Sequence, residues 1–559
     1  MKKLTCLLVL MIVAPELKGQ EVSGLASQKP FDIRGSLDVR VIGYSAQGMT
    51  ARRSPFSYVL TGSPTLSIYG IAVPLSFTYS EQQRSFSQPF NQFGMSPTYK
   101  WITVHGGYRN VSFSPYTLAG HTLLGAGVEL KPGKFRLGFM TGRLNRATTV
   151  DTTTGALQPF SFSRHGYAAK IGYGTEGSYI DLSFLSARDS EKGFKGSPDS
   201  ATIRPAANVV VGTEARYTFA GKLYVFADAG LSIYTRDQNS ALSVELDSVN
   251  LGLNFLKGLI PINGTTEYYL AYSGGLGYTA KTFGLKAAYK HVDPNFQSMG
   301  VYFFQNDLRS ISLSPSFNAL QGKLRFTGSI GVQEDNRKQQ KQATTRRIIS
   351  MANLSWDIHE KFGLDANYTN FSTNSEPTVT LIQNKYLLTQ TNNTVSISPR
   401  LVLVSQNYTH MVLVSYNLSS LSDLNEETQS TNNIRSSVAL LNYNLGLNAL
   451  GLSVNTGLNY TDNRLAMGTV SNKGFTLGLT KAFLKNKVMV SNSNSLIISR
   501  LPQGSSRILT LGGNATYAPL KGHRVNLRIY SMNHAIEQEA ADPLKNSELT
   551  AELSYTLSF

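Results

Sequence analysis

Cysteine is almost absent from the chain. The sequence has one cysteine, Cys6, which lies in an apolar stretch close to the first residue. The rest of the chain can therefore form neither a disulfide nor a thiolate metal site. A small secreted module held together by disulfides is excluded.

Long hydrophobic runs are also missing beyond the first twenty residues. No later stretch approaches the roughly 18 uninterrupted apolar residues that a membrane helix needs. Yet the chain is rich in Gly (48), Tyr (28) and Phe (27), and its mean hydropathy is only −0.14. A β-barrel explains this composition, because half of each strand faces water and aromatic side chains form belts at both membrane interfaces.

The start of the chain has the pattern of an export signal. A short basic segment is followed by about ten apolar residues, Leu4 to Val13, and then by the small residue Gly19 before a polar start. We expect residues 1–19 to be a cleaved secretory signal peptide. Residues 20–559 are then expected to form one domain, an exported barrel.

The end of the chain alternates strictly between apolar and polar residues. Its apolar positions are Leu549, Ala551, Leu553, Tyr555, Leu557 and Phe559. Side chains of a strand point alternately to opposite faces, and eleven residues suit a tilted strand that crosses a bilayer. The ending Tyr555, Leu557, Phe559 also resembles the signal that the bacterial barrel-assembly machinery recognises.

Tight turns recur between long alternating segments. They are predicted at 131–134, 174–177, 220–222, 320–323, 359–361, 484–487 and 520–523. Longer polar connections are predicted at 149–159, 188–205, 237–265, 293–307, 335–345, 373–390, 421–433, 462–471, 499–506 and 534–545. This alternation predicts an all-β fold, a single large antiparallel transmembrane β-barrel with short periplasmic turns and long extracellular loops.

The chain length sets the number of strands. At about 20 to 24 residues per strand and connection, we expect about 24 strands, within a range of 22 to 26. The segment 99–119 either adds a hairpin or folds inward. The hairpin 441–460 shows the pattern well: Tyr443, Leu445, Val454 and Leu458 should face hydrocarbon, whereas Asn444 should face the lumen.

One stretch resembles a known group of proteins. The segments FGMSPTYKW (93–101), GGYR (106–109), SPYTLAGH (114–121) and GAGVELKPGK (125–134) are similar to those of uncharacterised outer-membrane barrel proteins of the Bacteroidota. The resemblance covers roughly residues 60 to 150. It implies an integral protein of a Gram-negative outer membrane and no particular substrate.

Two segments are candidates for a constriction of the lumen. The first, 83–101, contains Phe86, Phe90, Phe93, Tyr99 and Trp101, and either folds into the lumen or caps the barrel. The second, the connection 237–265, carries an apolar stripe that includes Leu246, Val249 and Leu253. It is interpreted as a pair of strand extensions, a lid, or a partner site.

The chain is basic, with 52 Lys and Arg against 35 Asp and Glu. We attribute the excess to contacts with lipid and lipopolysaccharide phosphates, since an exported barrel does not meet nucleic acid. A smaller set of charges is predicted to line the lumen: Arg136, Lys170, Asp181, Glu214, Arg216, Asp228, Lys286, Lys290, Arg325, Asp357, Asp365, Arg400, Arg528 and Glu552. They either face a channel or pair with each other in a filled interior.

Enzyme chemistry has little support in the sequence. The eight histidines are scattered, none lies in a GxSxG or HExxH motif, and nothing indicates a metal or cofactor site. The favoured function is a passive channel or porin for small polar solutes. The alternative is a loop-filled barrel that docks an envelope partner in a surface or secretion assembly.

Overall fold

A computed structural model describes residues 30–68, 71–80, 94–147, 161–192, 203–242, 258–302, 305–341, 343–377, 388–425, 428–538 and 541–559. The predicted signal peptide lies outside the described residues. Within them, no helix is long and apolar enough to cross a membrane.

Antiparallel strands make up most of the described chain. The first half contains β1 Phe31–Arg34, β2 Ser36–Gln47, β3 Phe56–Gly62, β4 Thr65–Ile68, β5 Ile71–Ser80, β6 Gly94–Met95, β7 Thr98–Tyr99, β8 Ile102–Asn110, β9 Leu118–Ala119, β10 Thr122–Leu130, β11 Phe135–Asn145, β12 Ser163–Thr175, β13 Ser178–Ser190, β14 Ala207–Phe219, β15 Leu223–Thr235 and β16 Thr266–Thr279.

The second half has the longer strands. It contains β17 Phe283–Val292, β18 Gly300–Val301, β19 Leu308–Ala319, β20 Leu324–Glu334, β21 Ala343–His359, β22 Phe362–Pro377, β23 Leu388–Val404, β24 Tyr408–Asp423, β25 Ile434–Leu447, β26 Leu452–Leu465, β27 Gly468–Phe483, β28 Val488–Leu501, β29 Gly504–Tyr517, β30 His523–Gln538 and β31 Ala541–Ser558. One helical turn, Gln429–Asn432, precedes β25, and short 3-10 turns lie at Leu320–Gly322 and Asn448–Leu450.

All strands except β9 and β18 belong to one sheet, and that sheet closes on itself. The last strand pairs with the second over a twelve-residue antiparallel register, from Ser36 opposite Ser558 to Gln47 opposite Ser547. Among the described residues the sheet has 29 strand segments. Three of its strands are interrupted, as β1/β2, β3/β4 and β6/β7, so the wall has 26 strands.

The predicted fold class is confirmed: the protein is a large antiparallel transmembrane β-barrel. Its 26 strands are at the top of the predicted range rather than at 24. The segment 99–119 contributes both to the wall and to the interior. Residues 102–110 and 122–130 form two wall strands, β8 and β10, and the residues between them turn inward.

Alternation along the strands separates two faces. On one face large apolar side chains are exposed, for example Ile171 (59%), Leu182 (52%) and Leu458 (50%). Because only a hydrocarbon environment stabilises such a band, this is the outer face. The opposite face carries most charged residues of the strands and is covered in part by inward segments, so it is the lumen face.

The expected asymmetry of the connections holds on only part of the barrel. The connections predicted as long at 462–471 and 499–506 are two residues each, since β26 continues to Leu465 and β28 to Leu501. Strand length also varies around the wall, from 9 residues in β8 to 18 in β31, with 13 in β13 and 17 in β23. The polar residues that predicted loops there belong to extended strands.

Candidate functional site

The lumen is narrowed by two inward segments, 111–121 and 293–302, which we call the shelf. The first connects β8 to β10 and the second connects β17 to β19. They meet in a short parallel pairing between β9 and β18, in which Gly300 lies opposite Leu118. The shelf therefore crosses the inner face of several strands and is held on one side of the barrel.

Apolar side chains fix the first segment to the wall. Phe113, Leu118 and Met140 are almost fully buried in one cluster, with wall residues such as Leu185 and Val210. Burial of a side chain of this size contributes about 1.5–3 kcal/mol. The first shelf segment is consequently part of the core of the protein.

Aromatic packing fixes the second segment. Phe296 is fully buried beside Tyr116, with the two ring centroids 6.0 Å apart in an edge-on arrangement. Val292 and Leu308, at the ends of the adjoining strands, complete this cluster. The two segments thus share one core that lies inside the barrel wall.

Hydrogen bonds set the register of the shelf on the wall. The buried Asn208 accepts a bond at Oδ1 from the backbone N–H of Met299 (2.9 Å) and donates through Nδ2 to Ser232 Oγ (2.8 Å). Ser232 Oγ in turn donates to the carbonyl of Gln297 (2.7 Å), and Ser298 Oγ donates to the carbonyl of Thr117 (2.5 Å). These polar wall groups match specific backbone groups of the shelf.

Glycines in the wall leave space for the shelf. A Cβ at Gly138 would lie 2.7 Å from the ring of Phe113, and one at Gly230 would lie 2.5 Å from Tyr116 Cβ. Contacts that short force a neighbour to move, so any side chain at either position would push the shelf away from the wall. These glycines are the sequence signal for an inward segment, although isolated glycines in strands are too common to identify one alone.

Below the shelf, three of the predicted lumen residues form one ion-pair cluster. Asp181 is 1% exposed and lies 2.7 Å from Lys170 Nζ and 3.1 Å from Arg136 Nη2. Lys170 also donates to the carbonyl of Phe113, which links the cluster to the shelf. At this cluster the charges pair with each other instead of facing an open channel, which is the second of the two arrangements expected from the sequence.

A second cluster lies on β20 to β23. Arg400 donates to both Asp357 and Asp365, and Arg325 lies 3.7 Å from Asp357. Close to the ladder closure, Glu552 pairs with Arg40 at 3.3 Å, a basic residue that the sequence analysis did not select.

The remaining predicted lumen residues are more isolated. Glu214 accepts a hydrogen bond from Tyr179 (2.5 Å), and Asp228 accepts one from Ser273 (3.0 Å). Arg216 stacks over Tyr224 and Lys286 over Phe226, with 4.2 and 4.5 Å to the ring centroids. Lys290 lies opposite Ser273 and Ser310, and Arg528 opposite Glu552 and Asn514.

All fourteen charged residues selected from the sequence lie on the same face of the wall. By strand register each lies on the face opposite the exposed apolar row. All but Lys290 lie nearer the tight-turn end of their strand than the other end. The lumen therefore has a belt of mostly compensated charge at one end.

The far side of the lumen has a different chemistry. The inner-face residues of β27 to β29 carry no charge and include many hydroxyl-bearing residues, for example Thr476, Thr480, Ser491, Ser493 and Ser495. No shelf residue contacts this part of the wall among the residues that the structure describes. It presents neutral polar groups to the lumen.

The predicted constrictions are not found in the described chain. Phe86, Phe90 and Phe93 lie outside the described residues, as do Leu246, Val249 and Leu253. Tyr99 lies on the outer row opposite Ile102, and Trp101 forms the turn beside it with 39% exposure. The aromatic pattern that suggested an inward fold at Tyr99 and Trp101 belongs to the wall and its interface.

The described end of the connection 237–265 does not lie over the lumen as a lid would. Residues 258–263 pack on the outer face, where Ile260 is 1% exposed against Val209 and Ile233. Thr235 Oγ1 donates to the carbonyl of Pro261 (2.8 Å), also on that face. This flank follows the outside of the wall, because its apolar side chains are buried there against the apolar row of the strands.

Ion pairs join the loops next to the second shelf segment, where the backbone N–H of Asp307 donates to the carbonyl of Asp293 (3.1 Å). Lys341 Nζ lies 2.5 Å from Asp307 and 3.2 Å from Asp335, in loops beyond the strands. Burial alone would raise the pKa of Asp307. The hydrogen bonds from Lys341 and from the backbone N–H groups of Asn336 and Arg337 outweigh it, and the pKa is lowered.

The described residues contain little that resembles a catalytic centre. Ser506 and His534 are hydrogen-bonded at 2.8 Å, but Ser506 is buried and no carboxylate among the described residues orients His534. No group of three or more His, Cys, Asp or Glu side chains in the described chain is placed to hold a metal ion.

Comparisons with known proteins found no matching family model. No curated protein matches the chain. Among solved structures, the translocation pore of the P pilus usher PapC has 11% identity over 94% of this chain and 99% of its own, with a TM-score of 0.40. OccAB3 of Acinetobacter baumannii has 10% identity over 70% of this chain and 99% of its own, with a TM-score of 0.31.

A third similar structure is the outer-membrane protein opdK from Pseudomonas aeruginosa. It has 10% identity over 64% of this chain and 94% of its own, with a TM-score of 0.28. Likenesses this distant carry no argument about activity, and the strand ladder alone establishes the architecture. The architecture is that of a large closed antiparallel β-barrel.

Proposed function

We propose that the protein is an integral outer-membrane channel through which small polar solutes diffuse. The observation that supports this most is the contrast within the lumen. A fixed shelf covers one side, while the inner face of β27 to β29 presents hydroxyl groups that no described segment covers.

The size of the wall favours a continuous path through the barrel. Strands about 4.8 Å apart and tilted by about 40° give a 26-strand barrel a diameter of about 50 Å. Side chains of the wall alone cannot fill that space. The shelf reduces the cross-section but is anchored to one arc of the wall.

The arrangement of charge supports weak rather than strong ion selection. The most buried carboxylate, Asp181, is compensated by Lys170 and Arg136, and Arg400 is compensated by two aspartates. Selective filters need rings of one sign of charge. We therefore expect neutral polar solutes, such as small sugars, to pass as readily as ions.

Location and biogenesis are part of the same proposal. The expected export signal, the terminal strand and the resemblance to Bacteroidota barrel proteins support insertion into a Gram-negative outer membrane by the barrel-assembly machinery. Basic residues at the tight turns, for example Lys131 and Lys134, are suited to contact lipid phosphates. Lipopolysaccharide would be met at the opposite rim.

The test is conductance of the purified, reconstituted protein. We expect single-channel steps in planar bilayers, a reversal potential close to zero in a KCl gradient, and swelling of liposomes in small sugars. Replacing 294–301 by a Gly-Ser linker should raise conductance, because it removes half of the shelf. Replacing the equally long loop 426–433 is the matched control.

A silent protein would favour the second candidate, a barrel that docks an envelope partner. The observation that favours this candidate is the shelf, because its side chains form a buried core inside the barrel and a simple channel needs no such core. If both the intact protein and the 294–301 replacement fail to conduct while remaining folded, the channel proposal is wrong.

A further inference from the structure

Two asparagines lie on the outer face within the apolar part of a strand. On β28 the outward positions are Val488, Val490, Asn492, Asn494, Leu496 and Ile498. Their orientation follows from the register, because Asn492 lies opposite Leu479 and Asn494 opposite Leu477, and both leucines are exposed on the outer face. Asn494 is the seventh residue of a 14-residue strand, so the pair lies near the middle of the membrane.

Carboxamides are costly in hydrocarbon unless they are hydrogen-bonded. Asn494 Nδ2 donates to Asn492 Oδ1 at 2.6 Å, and Asn492 Nδ2 donates to the carbonyl of Gly512 at 3.0 Å. Each carboxamide offers two N–H donors and two acceptor lone pairs, so the pair satisfies only part of its capacity. A longer contact also runs from Asn492 Nδ2 to Asn494 Oδ1 (3.4 Å), and the pair as a whole lies on the outer face.

Other outward amides of the wall differ in their setting. Asn370 and Asn393 bond to each other on the outer face, but Ser372 and Thr391 follow them toward the loop end. They mark the end of the apolar band. By contrast, Asn492 and Asn494 have two apolar outward residues on each side along their own strand.

A depression lies beside the asparagines. Gly513 of β29 is opposite Asn492, and no heavy atom lies within 4 Å of the place where its Cβ would stand. The next outward residue, Ala515, is also small. A neighbouring backbone or side chain can therefore approach closely at the position of the amides.

We infer that the outer face of β28, centred on Asn492 and Asn494, is the contact between two copies of this chain in the membrane. A carboxamide is both donor and acceptor, so this patch is complementary to itself across a twofold axis. Two convex barrels touch along a narrow line, and here that line is one strand whose central residues are amides beside a glycine depression. In membranes, polar side chains of this kind hold protein segments together by hydrogen bonds.

Cysteine cross-linking tests the contact directly. The sequence contains only Cys6, so Asn494→Cys in a Cys6→Ser background introduces a single thiol. In native membranes under mild oxidation, we expect a disulfide-linked dimer, since the two Cα atoms would lie within about 7 Å. The matched control is Val211→Cys on β14, an exposed outer-face residue on the far side of the barrel, which should stay monomeric.

A second variant tests the chemistry of the contact. Asn492→Leu with Asn494→Leu should lower dimer association by about tenfold or more, as measured by native mass spectrometry in mild detergent. The barrel itself should remain folded, because leucine suits an outward position. Heat-modified mobility on gels checks the fold.

Three results would overturn the inference. The first is an Asn494→Cys protein that does not cross-link more than Val211→Cys. The second is a cross-link to a different protein, which would mean another partner. The third is a double leucine variant with an unchanged oligomeric mass, which would place the asparagines against lipid.

Discussion

Asn208 gives the sharpest test of how the shelf is held. Its side chain is fully buried in the inner wall and makes three hydrogen bonds, to Met299 N–H, to Ser232 Oγ and to the carbonyl of Ile233. Asn208→Leu keeps the branched shape of the side chain, with larger methyl groups in place of the amide, and leaves the N–H of Met299 without its acceptor. The barrel wall, which rests on backbone pairing, should survive.

The other two bonds of Asn208 stay within the wall, so the minimum effect on the shelf follows from the orphaned N–H of Met299. A buried donor without a partner costs about 1–3 kcal/mol. This corresponds to a roughly 5- to 150-fold increase in the equilibrium for local opening of residues 293–302. Global stability should change less, because opening of the segment relieves the penalty.

Amide hydrogen exchange measures that opening. Protection of Met299 and Gly300 should fall in Asn208→Leu by the same factor, while protection of the ladder between β2 and β31 stays unchanged. The control is Asn444→Leu, which removes a half-buried amide from the inner face away from the shelf, where Asn444 bonds only to Ser453. Equal protection of Met299 in both variants would refute the role assigned to Asn208.

Four further outcomes are expected. Arg at outward Leu445 should cost about 2–4 kcal/mol of stability in bilayers, and Arg at inward Asn444 much less, as measured by denaturant titration. Phe559→Asp should lower outer-membrane levels without reducing export, as measured by fractionation; normal surface levels would reject Phe559 as an assembly signal. Gly138→Leu should displace Phe113 and expose the shelf to limited proteolysis, whereas Gly513→Leu on the outer face should not. Because the pKa of Asp307 is lowered in the fold, its stabilisation of the loops is present at neutral pH and lost as the pH falls through that lowered value; Asp307→Asn should abolish this acid-dependent loosening in hydrogen exchange.

The sequence was sufficient for the wall and insufficient for the interior. Alternation placed Tyr443, Leu445 and Leu458 on one face, because a strand that separates lipid from water must alternate. The shelf has no such periodicity. The segment SPYTLAGH (114–121) is part of the resemblance to known barrel proteins, but its burial depends on wall residues such as Gly212, Gly230 and Ser183, which are far away in the chain.

The same alternation explains why the predicted long connections at 462–471 and 499–506 were wrong. Polar residues near 462–471 and 499–506 predicted loops, yet these strands extend and keep pairing beyond the apolar band. Backbone pairing does not require apolar side chains, so composition marks where the membrane ends rather than where the strand ends. In the segment 237–265 the apolar stripe predicted an element whose apolar side chains must be buried. Its described end is buried against the outer face of the wall.

The unequal length of the strands has a consequence for how the protein meets its surroundings. A strand of 17 residues, as in β23, rises about 10 Å higher than one of 13 residues, as in β13, at the tilt of such barrels. Measured from the tight-turn ends, the paired strands therefore reach less far on the arc that carries the shelf than on the arc around β23. In the proposed channel, a taller hydrogen-bonded wall would stand on the arc around β23 than beside the shelf, so the rigid part of the barrel would be unequal in height around the pore.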